Sequence, residues 1–401
     1  MYFFYCLSFL SLVQKHLKTP KVSKKVYNRR VADTHQCIKL VEMGDEMNKI
    51  SLAFKDLLKI KETEDSILRV LGAGATTGIM LLLGYVSGNM QIGTFGALGA
   101  FAFLYYLPIP NKQLIKRIFR VGLCMTTGFF LGAISTFVPW VIPITISLIS
   151  LAGFIVFRVL HAPRPGAFFI IMVSSMATGT SLDFSGIAAA TAYVALGVAA
   201  SIGVAVIVRI AHRKLIGVEV SIENSSFNER WRHALTHDSR LLLSSIHHAC
   251  IIFFATYIGM ALGLGNPYWV TISCAAVLQG SELIAIFQRN VQRIVGGMVG
   301  LLVGIVLFSF DLNVISTITI IVILNVFVEY AMVRNYAIAN FFTNPLSLLL
   351  ANLSSGAFVN DLVSYRFFGL VLGSMIAFIG AALISYALRL YDGEMKSVKK
   401  E

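Results

Sequence analysis

From Ile67 onward, apolar runs close to a membrane span in length follow one another twelve times, separated by short polar turns. A helix of roughly 20 apolar residues crosses the ~30 Å hydrocarbon core of a bilayer. Backbone in lipid must satisfy its own hydrogen bonds, which leaves helices or closed barrels. Runs of this length select the helix. The fold class predicted is therefore all-α: a polytopic membrane protein with about twelve transmembrane helices. The runs lie near 67–87, 90–108, 119–138, 140–160, 166–180 and 186–210, then near 243–264, 267–286, 292–310, 312–331, 335–353 and 362–388. Charged residues make up only 13% of the 401-residue chain and hydrophobic ones 57%. A soluble domain carries roughly 25% charge, so the composition agrees with the spans.

The polar stretch "AHRKLIGVEVSIENSSFNERWRHALTHDSR" divides the runs into two sets of six. The organisation expected is a cytoplasmic N-terminal extension (1–66), a first six-helix membrane repeat (67–210), a cytoplasmic linker (211–242), a second six-helix repeat (243–390) and a cytoplasmic tail (391–401). Residues 1–46 show no periodicity, whereas "MNKISLAFKDLLKIKETEDSILRVLGAG" from Met47 leads as an amphipathic helix into the first span. Residues 1–46 are expected to be a start-site artefact or a disordered extension. Mass spectrometry of the N-terminal peptide decides between them.

The net charge of +13 is concentrated at one end of the spans, in "NKQLIKRIFR", "FRVLHAPRP", the linker, "QRNVQR", "MVRN" and "KSVKKE". The alternate turns, near 88, 139, 181–185, 265, 311 and 354–361, contain no Lys or Arg. By the positive-inside rule both termini and the linker face the cytoplasm of a cell membrane. Cations that mark span ends rather than one surface give no nucleic-acid footprint, so the partner expected is the lipid bilayer. The five cysteines form no Cys-x-x-Cys pair, which leaves no zinc or redox motif and no metal site. "GAGATTG" (72–78) lacks the Lys-Ser/Thr of a phosphate-binding loop, and no nucleophile elbow or zinc-protease helix is present. No cofactor and no enzymatic activity are expected.

The two sets of spans look like copies. Arg117 and Arg293, Gly128 and Gly304, and Gly197 and Gly373 are each 176 positions apart (293 − 117, 304 − 128, 373 − 197). An even number of spans per copy makes the repeat parallel. Gly296, Gly300 and Gly304 form a small-xxx-small stripe, which Gly128 and Gly132 repeat in the first half and Gly369 and Gly373 extend in the last span. Such stripes let helix backbones approach closely and are read as packing.

Arg289 and Arg293 share one helix face at the mouth of a span. Two readings of them stand side by side: membrane anchors below an aromatic belt at Tyr268 and Trp269, or, with Arg117 and Arg120, a cationic ring that gathers anions. Asn340, Asn344 and Asn352 lie on one face of a span that Pro345 is expected to break, either as interhelical hydrogen-bonding groups or as a substrate-lining face together with Gln279. Glu282 is a candidate proton-coupling group. Glu329 is expected to pair with Arg334, and Arg366 with Asp361 or with the interface. His247 and His248 read as structural.

"PYWVTISCAAVLQGSELIAIFQRNVQRIVGGMVGLLVG" resembles the signature of the fusaric acid resistance protein-like family. The positions that carry the resemblance are Tyr268-Trp269, Val277-Leu278-Gln279 and Arg293-Ile294-Val295-Gly296-Gly297, then Gly300. The resemblance implies a membrane transporter with aromatic and other organic acids as the exported class. The chain is similar to the aromatic acid exporters and, more distantly, to plant aluminium-activated malate channels. A gradient-driven exporter of a small organic anion is the function expected; a passive anion channel and a non-transporting scaffold for envelope assembly are the alternatives. A homodimer is left open.

Overall fold

The computed structural model describes residues 59–63, 65–159, 165–215, 239–280, 282–355 and 359–398. The readings for residues 1–46 and for the linker beyond Leu215 lie outside these. Among the described residues the regular structure is helical: α1 (Ile67–Val86), α2 (Met90–Ala100), α3 (Asn111–Ser135), α4 (Ile142–Val159), α5 (Phe168–Ala177), α6 (Phe184–Leu215), α7 (Ser239–Ala261), α8 (Tyr268–Val277), α9 (Leu283–Phe308), α10 (Val314–Met332), α11 (Tyr336–Ser355) and α12 (Val359–Val398). A 3-10 turn extends α2 to Tyr105 and another precedes α4.

Eight of these helices are long and apolar enough to cross a membrane: α1, α3, α4, α6, α7, α9, α10 and α12. Their outer faces carry Leu148, Ile207, Leu302 and Val306, each more than half exposed. Water does not tolerate apolar surface on that scale; lipid does. The chain is a multi-pass membrane protein.

The remaining helices depart from the run-by-run expectation. The runs near 166–180 and 267–286 yield α5 and α8, helices of 10 residues each. At 1.5 Å per residue each is about 15 Å long, half the hydrocarbon thickness. Helix ends at mid-depth survive in a membrane only where protein covers them. Accordingly every residue of α8 from Trp269 to Val277 is buried. The α11 helix is also unlike the expectation: it runs unbroken through Pro345. The Phe341 carbonyl, which loses its usual donor to that proline, lies against Gly300 of α9.

Two polar seams join helices that are distant in sequence. Glu329 of α10, 6% exposed, meets Arg69 of α1 at 3.0 Å, and Arg69 also holds Asp65. One turn away on α10 and two turns away on α1, the Asn325 amide donates to Thr77 Oγ1 at 2.8 Å. The expected Glu329–Arg334 pair does not form; Arg334 instead stacks on the Tyr330 ring and donates to the Tyr330 carbonyl. At the other seam, between α4 and α7, Ser150 Oγ lies 2.9 Å from His248 Nδ1, a structural hydrogen bond.

The packing recurs six helices on. α2 packs on α1 and α6, as α8 packs on α7 and α12; α3 packs on α5 and α6, as α9 packs on α11 and α12. Glycine makes these approaches close. A Cβ on Gly197 (α6) would run into the Gly96 carbonyl of α2, and one on Gly373 (α12) into the Val270 carbonyl of α8. Gly128 and Gly132 receive Ser174 of α5, Gly296 and Gly300 receive the α11 backbone at Ala337 and Asn340, Gly304 receives Leu348, and Gly369 receives Trp269. Gly203, by contrast, has open space around it. Gly197→Ala is therefore expected to destabilise the protein by about 1–3 kcal/mol through the backbone clash. Gly203→Ala is expected to be neutral or to stabilise by up to about 1 kcal/mol. Thermal unfolding of the two variants in detergent reads the difference in sign.

Candidate functional site

The second set of helices carries two arginines in its interior. Arg293, on α9, and Arg366, on α12, are each 3% exposed. Arg293 donates from Nη1 to Tyr336 Oη at 2.9 Å and to Asn340 Oδ1 at 3.4 Å, and from Nη2 to Ser273 Oγ at 3.1 Å. Its Nε is buried without an acceptor. Arg366 donates from Nε to Asn344 Oδ1 at 2.9 Å and lies 5.2 Å from the centre of the Trp269 ring. The two guanidiniums are near enough to act on one another electrostatically.

Each partner is set by its own helix. Asn340 and Asn344 are one turn apart on α11, so they present their amides to α9 and α12 from the same face. Asn340 steadies itself by donating to the Tyr336 carbonyl, and Asn344 by donating to the Gly297 carbonyl of α9. The latter contact is possible because Gly297 has no side chain; a Cβ there would lie 2.9 Å from Asn344 Nδ2. Trp269 and Ser273 come from α8, one turn apart. Around them close Ile272, Leu301, Leu348, Leu362 and Leu370.

All of these partners are neutral. The ion pairs of Arg69 with Asp65 and Glu329 lie in a different seam. A charge taken out of water and matched only by neutral dipoles costs several kcal/mol, and two like charges together cost more. An arrangement of this kind is complementary to an anion.

The arginines expected to form a ring have three different surroundings. Arg293 is the buried one. Arg117 donates to the Tyr105 carbonyl and Arg289 to the Ala276 carbonyl, so each satisfies the carbonyl end of a short helix, α2 and α8 respectively. Arg120 is exposed. Arg289 does approach the candidate site, since its guanidinium lies 4.0 Å from the centre of the Tyr336 ring. Gln279 is half-buried past the end of α8, with its amide oxygen beside Gly166, and Asn352 is half-buried two turns beyond Asn344.

Three expectations are corrected here. Glu282 does not sit within a span; it is exposed at the N-terminal cap of α9, because α8 ends five residues earlier. Trp269 is not a headgroup belt residue but is 2% exposed in the core. Arg366 neither pairs with Asp361 nor reaches an interface. Its burial next to Asn344 is the feature that sequence reasoning passed over. One signal for it was present: a lone arginine in an apolar run, facing the same way as the glycines Gly369 and Gly373.

Replacing Asn344 with leucine strands the Arg366 guanidinium. Asn344→Leu is expected to lower stability by about 3 kcal/mol, the scale of a buried hydrogen bond to a charge. Thermal unfolding in detergent measures it.

The model of the family described as Fusaric acid resistance protein-like matches residues 252–380. Every residue of the buried arginine site lies inside that range, so the resemblance read from residues 266–304 is shown for the part of the chain that holds the site. Among curated proteins, the chain is similar to an uncharacterized membrane protein, YvaC, of Bacillus subtilis (strain 168), at 26% identity over 154 residues. That stretch is 38% of this chain and 24% of the relative, so the chain spans about a quarter of the length of the curated relative it matches. No solved structure matches the chain.

Proposed function

We propose, with a fusaric acid resistance protein-like domain over residues 252–380 as the premise, that this protein is a transporter. It exports organic, chiefly aromatic, acid anions across the cell membrane, driven by a gradient and with both termini in the cytoplasm. One observation carries the reading: Arg293 and Arg366 are both buried on neutral partners, within electrostatic reach of one another, and Arg293 keeps an unused Nε donor. A carboxylate delivered by the substrate offsets one of the two positive charges and takes that donor. The aromatic groups beside the cations, Trp269 and Tyr336, suit a ring attached to that carboxylate.

The remaining candidates take places along the route. Arg289, stacked on Tyr336, stands between the Lys/Arg-rich end and the site. Asn340 and Asn344 hold the arginines, while Gln279 and Asn352 border the path. Arg117 and Arg120 supply positive potential at the mouth of the first half. The recurrence of helix pairings six elements apart supports two parallel repeats of six helices, the layout of many carriers. The close packing around Arg293 and Arg366 means that the substrate enters on a rearrangement of the helices, as a carrier requires.

A passive channel is the second reading, and the exposure of Glu282 favours it: a coupling carboxylate is expected inside the membrane, not at a helix cap.

Efflux of benzoate from liposomes with an imposed pH gradient tests both. Wild-type protein is expected to move benzoate with the gradient. Arg293→Gln and Arg366→Gln are expected to lower the rate about tenfold or more, the loss of one charge-assisted hydrogen bond. Glu282→Gln abolishes gradient dependence if that carboxylate couples protons. Flux that ignores the gradient in wild type identifies a channel. No flux of any anion from folded protein contradicts transport and leaves the scaffold.

A further inference from the structure

A second concentration of positive charge lies away from the Arg293–Arg366 site, on the first set of helices. A cavity of about 630 Å³ opens between the start of α3 and the end of α6, lined by Pro110, Asn111, Arg209, Ile210, Arg213 and Lys214. Among the described residues, six line it, of which three are cations and none a carboxylate. Arg209 is 3% exposed and is anchored through Nε to the Ile109 carbonyl at 2.7 Å, so its guanidinium is fixed at the cavity wall. Arg213 lies one turn further along the same face, with Lys214 beside it, and both are exposed. The 25-residue helix α3 begins at Asn111, so the positive end of its dipole points to the same space.

Complementing the α6 macrodipole accounts for a basic last turn on that helix. It does not account for a cavity of this size between two helices, nor for a buried arginine in its wall. The cavity also has an apolar border. Ile210 lines it, and Ile207, one turn earlier on α6, is 67% exposed on the lipid-facing surface. A ligand with a negative head and an apolar tail matches both features: the head among the three cations, the tail along Ile210 and Ile207. The volume exceeds what a bare phosphate needs and falls in the range of sites for larger ligands.

We infer that this cavity binds the phosphate-bearing headgroup of an anionic phospholipid, with an acyl chain running along Ile210 and Ile207 of α6. The site shares no residue with the transport route, so it stands or falls separately from the transporter reading. Its effect is to fix the ends of α3 and α6 to one membrane surface.

The test uses the full-length protein in detergent, with fluorescent phosphatidylglycerol and phosphatidylcholine titrated in parallel. Phosphatidylglycerol is expected to bind at least about tenfold more tightly, and the double variant Arg213→Gln/Lys214→Gln to weaken it roughly thirtyfold, at the value of two surface cations. Both substituted side chains are exposed, and an unchanged melting temperature shows that the fold is intact. Arg213→Lys is expected to retain binding. Equal affinity for the two lipids, or phosphatidylglycerol binding unchanged in the double variant, overturns the inference. Inorganic phosphate is titrated as a competitor. Failure of millimolar phosphate to displace the lipid supports a lipid site, whereas saturable phosphate binding with no preference for phosphatidylglycerol assigns the cavity to a soluble anion and overturns it.

Discussion

Each polar group that this chain carries into the apolar layer has to find its partner within the chain, and that requirement organises the fold. Ser201 Oγ of α6 reaches the Ala100 carbonyl of α2, Thr256 of α7 meets Thr271 of α8, and Asn325 of α10 meets Thr77 of α1. The short helices depend on it most. Their carbonyl ends stop inside the protein, and Arg117 and Arg289 close them. Glycine sets the distances at which such partners can meet: Gly197 against Gly96 and Gly373 against Val270 bring backbones together where any side chain would hold them apart. Against this background stand two guanidiniums that rest on two amides, a phenol and a hydroxyl, with one Nε donor left over.

Much of this was legible in the chain because lipid simplifies the rules. Length and hydropathy locate α1, α3, α6 and α9, and small residues four apart mark the faces that pack. The glycines singled out by spacing all turn out to be contact points. Hydropathy fails at α5 and α8 for a definite reason. The apolar sequence resumes at Leu283, six residues after the end of α8 at Val277, so counting apolar runs reads across the break. That misplacement carried Glu282 into the membrane and Trp269 out of it. Partner choice was equally invisible. Glu329 has Arg334 five residues away and Arg69 260 residues away, and only the docking of α10 on α1 selects the distant one.

At the site, spacing was informative within a helix and silent between helices. Asn340 and Asn344 could be assigned to one face, and Arg293 to the face of Arg289. That Asn344 receives an arginine from α12 depends on a crossing that no local pattern encodes. Arg117 and Arg293 show the limit of repeat reasoning. They lie 176 positions apart, yet one closes a helix end and the other is buried among side chains.

The central claim is that Arg293 and Arg366 together hold the carboxylate of an aromatic acid. The most direct measurement is a structure of the protein with 4-bromobenzoate, the ligand located by its bromine anomalous signal. The bromine peak is expected near Trp269 and Tyr336, with the carboxylate in hydrogen-bonding distance of both guanidiniums. A bromine peak elsewhere, with the two arginines still resting on their neutral partners alone, would contradict it.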